Sequence, residues 1–142
     1  MGSCAAARRR PPRRVILLLD STVLIDHLRG RPAAERVASR ARSGDLLATT
    51  AINVEEVVRG LRPAEESAVD ELFDGLVVLP IGLEQGRQAG AWRRDFASRG
   101  MTLSQADCLI AAVAHTAGAH LATGNPDDFP MPDLVVEHWP VG

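Results

Sequence analysis

Residues 15–22 read VILLLDST. Five consecutive apolar residues, three of them Leu, are too few for a buried helix and too uniformly apolar for a half-exposed strand. They fit a short strand buried on both faces, which occurs where helices cover both sides of a parallel sheet. The run stops at Asp20, followed by two hydroxyl side chains, Ser21 and Thr22. A carboxylate directly after a buried strand lies at the carboxyl edge of the sheet, where open α/β folds place their function.

The same grammar continues outward. VLIDHLRG forms a short helix stopped at Gly30, and Pro32 opens a second helix that runs to Ser43, with Gly44 beyond it. LLATT (46–50) is a second strand. Asn53 is placed to cap a helix carrying Val54, Val57, Val58 and Leu61, the i, i+3, i+4, i+7 spacing of a buried stripe. Pro63 starts a helix ending at Asp74-Gly75, and LVVLPI (76–81) is a third strand. Residues 83–99 form a charged helix closed by Gly100. Ser104 caps a helix through Ala117, with Gly118 as its stop. HLATG (120–124) is a fourth strand and LVVEHW (134–139) a short fifth. Strands alternating with helices predict an α/β domain with a mainly parallel sheet of four to five short strands.

Composition narrows the chemistry. The chain has 142 residues, within the range of one domain. All 16 basic residues are Arg. Without Lys there is no P-loop, no protein-kinase strand Lys and no lysine Schiff base. Two Cys exclude a disulfide framework, and five Phe and Trp with no Tyr argue against a platform for stacking bases. Residues 1–14, MGSCAAARRRPPRR, hold five Arg without apolar periodicity and read as a disordered basic tail, leaving 15–142 as the folded domain. From Val15 onward 11 Arg face 18 Asp and Glu, so the body carries a net −7. No apolar run is long enough for a signal peptide or a membrane span, which points to the cytoplasm.

Asp20 follows the first predicted strand and Asn125, Asp127 and Asp128 follow the fourth, while Glu55, Glu56 and Asp107 come from helices. Each has an ordinary alternative. Asp20 suits a helix cap, Asp107 suits a helix first turn, and Asp127-Asp128 after Pro126 suit a turn. Glu55 and Glu56 both lie off the apolar stripe, so periodicity assigns either one to solvent.

Their context resembles a family. LLLDSTVLIDHLRG (17–30) is similar to the opening of PIN-domain ribonucleases of the VapC toxin group. AINVEEVVRG (51–60) resembles that group's second motif, with Glu56 rather than Glu55 in register. TLSQADCLIAAVAHTAGAHLATGNPDDFP (102–130) resembles its third and fourth motifs, with Asp107 and the Asn125/Asp128 pair in register. The resemblance implies a three-layer α/β/α fold, Mg²⁺ or Mn²⁺, and cleavage of RNA. It also implies a homodimer and a VapB-like antitoxin bound in a hetero-oligomer.

On this resemblance Asp20 and Asp107 are the principal metal ligands, with Glu56 and Asp128 completing the catalytic set. Whether Asn125 or Asp128 closes the site stays open. Glu56 also has the chemistry to position an attacking water. Phosphodiester hydrolysis needs a nucleophilic water and charge neutralisation at phosphorus, and a hard cation on oxygen ligands supplies both. In-line displacement leaves a 5′-phosphate and a 3′-hydroxyl. The usual Thr-Ser after the first Asp is reversed here to Ser21-Thr22, and Gly124 replaces a common basic residue.

Other readings compete. A PIN-like module acting through protein contacts, with weak or no nuclease activity, is the alternative; intact Asp20, Glu56 and Asp107 favour the enzyme. A phosphotransferase using Asp20 as nucleophile needs an Asp at position 22, where Thr22 stands. Cys108 reads as a buried thiol, and the four His lack zinc spacing with Cys. Arg87, Arg93, Arg94 and Arg99 read as a solvated helix face that could also meet RNA backbone. Trp92 and Phe96 read as core or dimer contact.

Overall fold

The structure is a computed structural model that describes residues 14–141. The expected basic tail lies outside the described residues except for Arg14. The order begins with β1 (Ile16–Leu19), α1 (Ser21–Leu28), α2 (Pro32–Arg42), β2 (Leu46–Thr49) and α3 (Ala51–Arg59). A 3₁₀ turn at Pro63–Glu65 leads into α4 (Glu66–Asp74), then β3 (Val77–Val78), α5 (Leu83–Ser98) and α6 (Gln105–Ala117). The chain closes with β4 (His120–Thr123), a 3₁₀ turn at Pro126–Asp128 and β5 (Val135–His138). No helix of the described residues is long and apolar enough to cross a membrane.

The five strands form one sheet in the order β3-β2-β1-β4-β5, and every pairing is parallel. β1 is central, in register with β2 through Leu17↔Leu47 and with β4 through Leu18↔Leu121. Leu17, Leu18 and Leu19 are fully buried, as their apolar run requires. Alternation sends them to opposite faces. Leu18 and Leu121 pack with Trp92 and Phe96 of α5 and Ile110 and Val113 of α6. Leu17, Leu19 and Ala122 pack with Val23 and Leu24 of α1, Val37 of α2, Val57 of α3 and Leu72 of α4. Two helices on one face and four on the other make a three-layer α/β/α sandwich.

Local chemistry sets the joints. Asp26, buried in α1, accepts the Ala33 N–H at 3.0 Å, which satisfies an amide in the first turn of α2. Gly118 ends α6 in the left-handed region at φ 65°, where a Cβ would be strained. Below the sheet, Arg40 of α2 bonds Asp45 and, at 3.1 Å, Glu137 of β5; His120 Nδ1 stands 2.8 Å from the same carboxylate.

Three expectations need correction. Thr50, not Asn53, caps α3: its Oγ1 accepts the Asn53 N–H at 3.3 Å, and Asn53 lies inside the helix, fully buried. Val58, assigned to the buried stripe, is 50% exposed, because α3 ends at Arg59 and turns only Val57 fully into the core. The third strand is two residues long rather than six. It lies at the sheet edge with both Val77 and Val78 exposed, so burial on both faces fails there.

Candidate active site

The chain leaves β1 toward β2 and β3 on one side, and later returns to β4 and β5 on the other. The adjacent carboxyl ends of β1 and β4 are therefore a topological switch point, where an open parallel sheet splays and leaves a crevice. Asp20 follows β1 there, and its N–H donates to the Ala122 carbonyl at 2.9 Å. Thr123 ends β4 beside it.

Asp20 is 6% exposed, and its side chain does not cap α1. Its Oδ2 accepts from Thr123 Oγ1 at 2.7 Å and from Thr22 Oγ1 at 3.5 Å, and its Oδ1 accepts from Asn53 Nδ2 at 3.2 Å. Every one of these donors is neutral. Burial pushes the Asp20 carboxyl above its ordinary value; the Thr123 bond pulls it down, and the nearby Glu56 charge adds to the rise.

Glu56 reaches the same crevice from α3. It is half-buried and accepts the Ser21 hydroxyl at 2.8 Å. Glu55 points outward and pairs with Arg59 at 3.2 Å on an exposed face. The helix thus resolves the adjacent glutamates: one faces the strand end, the other faces solvent.

Asp107 enters from the first turn of α6, where Ser104 Oγ accepts its backbone N–H at 3.1 Å. Burial raises its carboxyl, the Ser104 bond opposes that, and the charges of Asp128, Asp20 and Glu56 raise it further. Asp107 thus feels the charge of the other three carboxylates. Asp128 is exposed, in the turn after β4, and Asn125 lies at the start of that turn with its N–H on Thr123 Oγ1 at 3.0 Å.

The reversed Ser21-Thr22 pair divides the work of holding this edge. Ser21 donates to Glu56, while Thr22 Oγ1 accepts the Gly124 N–H at 2.9 Å and tethers the loop after β4. A Cβ on Gly124 would lie 3.0 Å from Val141 Cγ1 and 3.3 Å from Thr22 Oγ1. The glycine therefore makes room for the C-terminal segment against the site's rim.

Residue chemistry sorts the possible cofactors. Among the described residues none of the four carboxylates makes an ion pair with Arg or His. Nor, among them, do three His, Cys, Asp or Glu stand grouped so as to hold an ion by themselves. A closed tetrahedral zinc site takes Cys and His ligands, and all four of these groups are carboxylates. Mg²⁺ instead uses one or two carboxylates and keeps several waters. Acceptor-only oxygens that repel one another without a basic neighbour fit such an ion.

Asn53, Ser21 and Thr123 carry much of this geometry, and the sequence reading missed all three as site residues. Asn53 has a capping side chain and Thr123 lies within the predicted strand 120–124, so neither carries a signal of its own. Most of the remaining candidates have structural partners of their own. Cys108 is buried, and burial raises its thiol, so it is inert. Trp92 and Phe96 are core, Trp92 packing edge-on against His115 at 5.7 Å between ring centres. Arg99 pairs with Asp95 and lies over the Phe96 ring, and Arg93 Nε donates to the Leu103 carbonyl. Arg87 lines a surface cavity of about 670 Å³ with Leu83 and His115, and none of the four carboxylates lines it.

Comparison with known proteins places the fold. Residues 17–131 match the PIN-domain family. The chain is similar to Ribonuclease VapC19 of Mycobacterium tuberculosis, 34% identical over 118 residues that span 82% of this chain and 94% of that protein. It is also similar to Ribonuclease VapC10 of the same organism, 36% identical over 113 residues, 80% of this chain and 85% of that one. Among solved structures, VapBC2 from Rickettsia felis, bound to a DNA fragment from its promoter, contains a chain of like fold. The TM-score is 0.77 at 20% identity, covering 87% of this chain and 98% of that one.

Proposed function

The chain belongs to the PIN-domain family, in its VapC ribonuclease group, and on that premise we propose that it is an endoribonuclease dependent on Mg²⁺ or Mn²⁺, the toxin of a toxin–antitoxin pair. The observation that carries this is Asp20: a carboxylate buried at the switch point, held by neutral donors only, with Glu56 linked to it through Ser21 and Asn53.

Asp20 and Asp107 would hold the cation, with Glu56 and Asp128 beside it. When bound, the cation neutralises charge at phosphorus and lowers the pKa of a bound water. Thr123, Thr22 and Asn53 orient the Asp20 oxygens while leaving the negative charge uncompensated. Glu56 is tethered through one oxygen to Ser21, and its second oxygen has no protein partner among the described residues. That oxygen is free to accept a hydrogen bond from the attacking water and orient it. Hydrolysis puts the water oxygen on phosphorus and breaks the bond to O3′, which takes up a proton; the products are a 5′-phosphate and a 3′-hydroxyl.

A VapB-like antitoxin and a homodimer follow from the same kinship. The acidic body and its unpaired carboxylates favour a partner that brings basic side chains to the crevice. The test is RNA cleavage by the purified protein with Mg²⁺, Mn²⁺ or chelator, with the fragment ends identified. Cleavage that needs the cation, ends in 5′-phosphate and vanishes in Asp20→Asn supports the reading. Cleavage that persists in chelator, or at the wild-type rate in Asp20→Asn, overturns it.

A further inference from the structure

Asn53 is an unexpected residue for its place. Asn is a poor former of helix interiors, and a buried amide must have its hydrogen bonds met to avoid a desolvation penalty. Asn53 sits in the first turn of α3 with no solvent exposure. Its Oδ1 accepts the Thr50 hydroxyl at 2.7 Å, a bond within its own helix start. Its Nδ2 instead leaves the helix and donates both hydrogens across the crevice, to Asp20 Oδ1 at 3.2 Å and to Ser21 Oγ at 3.0 Å.

The direction of these bonds is set by chemistry. An ionised carboxylate only accepts and an amide NH₂ only donates. Ser21 has one proton, and its hydroxyl stands 2.8 Å from Glu56 Oε1. It must therefore accept from Asn53 and donate to Glu56. Turning the Asn53 amide over would set its carbonyl against the Asp20 carboxylate. One arrangement remains: Thr50 to Asn53, Asn53 to Asp20 and Ser21, Ser21 to Glu56.

We propose that Asn53 and Ser21 are positioning residues, a one-way hydrogen-bond relay that locks Glu56 on α3 to Asp20 at the end of β1 and so sets the separation of the two carboxylates. The proposal rests on the functional reading above for what those carboxylates do. A buried Asn serves this role where Arg would not: it orients both acids and neutralises neither. Ser21 is the adjustable link, since it touches Glu56 directly and is only half-buried.

The test uses Ser21→Ala, Ser21→Thr and Ser21→Ala combined with Glu56→Gln, each checked for folding by thermal melt. Ser21→Ala is expected to lower kcat for RNA cleavage about tenfold or more, the scale of one hydrogen bond to a charged group, with KM within about twofold. Ser21→Thr, which keeps the hydroxyl, is expected to recover kcat to within about threefold. In the Glu56→Gln background Ser21→Ala is expected to change kcat by less than about twofold, because its route of action is already gone. Equal losses in both backgrounds, or Ser21→Thr as impaired as Ser21→Ala, would overturn the relay. A second readout needs no activity. In the cation-free protein, NMR of the Asn53 side-chain amide is expected to show both protons protected from solvent exchange, with one released by Ser21→Ala. An amide resonance unmoved by Ser21→Ala overturns the relay even if the wild type proves to cut no RNA, an outcome that would count against the functional reading alone.

Discussion

Replacing Thr123 by Val tests the neutral cradle of Asp20 directly. Thr123 is fully buried at the end of β4, and Val has nearly its shape, so the swap removes a hydroxyl without opening a cavity. Two bonds go with it. The first is the 2.7 Å donation to Asp20 Oδ2; the second is acceptance of the Asn125 N–H at 3.0 Å. Asn125 is exposed, so water replaces the second at little cost. The first is a bond to a buried carboxylate and is worth about 1.5–3 kcal/mol. For a domain of this size each kcal/mol moves the melting temperature by roughly 4 °C, so the expected drop is about 6–12 °C in chelator at neutral pH. Because the bond favours the ionised acid, its contribution is present above the raised Asp20 value and fades as pH falls through it. The assay is a pair of thermal melts, one near neutral pH and one near pH 4. A Thr123→Val protein that melts within about 2 °C of wild type at neutral pH, or whose deficit is unchanged in acid, would refute the cradle.

Glu56→Gln is expected to lower RNA cleavage by about a hundredfold, the lower range for a residue that handles the reacting water. Glu55→Gln, losing only an exposed pair with Arg59, should stay near wild type; the reverse order would mean that the second motif is misread by one residue. Urea unfolding in chelator across pH should place maximum stability on the acid side of neutral. Burial and mutual repulsion raise Asp20 and Asp107, so the folded state holds protons that the unfolded state has lost, and stability rises as pH falls through their raised values. At lower pH, Asp45, held down chiefly by Arg40, loses its contribution. Glu137 does the same; burial lifts it, but bonds from Arg40, His120 and Trp139 outweigh that, and both losses come as pH falls through the depressed values. Asp20→Asn should shrink the acid-side rise, and an unchanged profile would argue against it. Gly124→Lys brings a Cβ to 3.0 Å from Val141 Cγ1, but Val141 is exposed and can yield, so a melt should show a loss of no more than about 0.5 kcal/mol; a larger loss would mean that the C-terminal segment is fixed against the loop after β4.

Much of the fold was legible because β1 is a continuous apolar run ended by Asp20 and because short strands alternate with capped helices along the chain, a pattern with few solutions. The edge strand was not. LVVLPI reads as one strand, yet only Val77 and Val78 pair in register, with Ala48 and Thr49 at the end of β2, and Pro80 has no N–H to carry the ladder on. Asp20 could be placed at the sheet's carboxyl edge from sequence alone, whereas its role as a helix cap could be dismissed only from the bonds it makes. The choice between Glu55 and Glu56 was beyond periodicity, since both lie off the apolar stripe; it came from family register and from the turn of α3 against Ser21. Asn53 was misread for a physical reason. Thr50 and Asn53 are both capping types, three residues apart, and only the strand end beneath α3 shows that Thr50 starts the helix while Asn53 serves Asp20.

Thermal melts of the wild type, Asp20→Asn and Asp107→Asn, each in chelator and in millimolar Mn²⁺, test whether these carboxylates form the cation site. An ion bound only by the folded state adds about 2.7 kcal/mol at a hundredfold excess over Kd, which is roughly 10 °C here. The wild type should gain that stability and both variants should gain much less, each measured against its own melt in chelator, because Asp20→Asn removes a repelling charge but also sets an amide NH₂ against the donors that hold Asp20. Equal Mn²⁺ shifts in all three proteins would contradict the account at its centre.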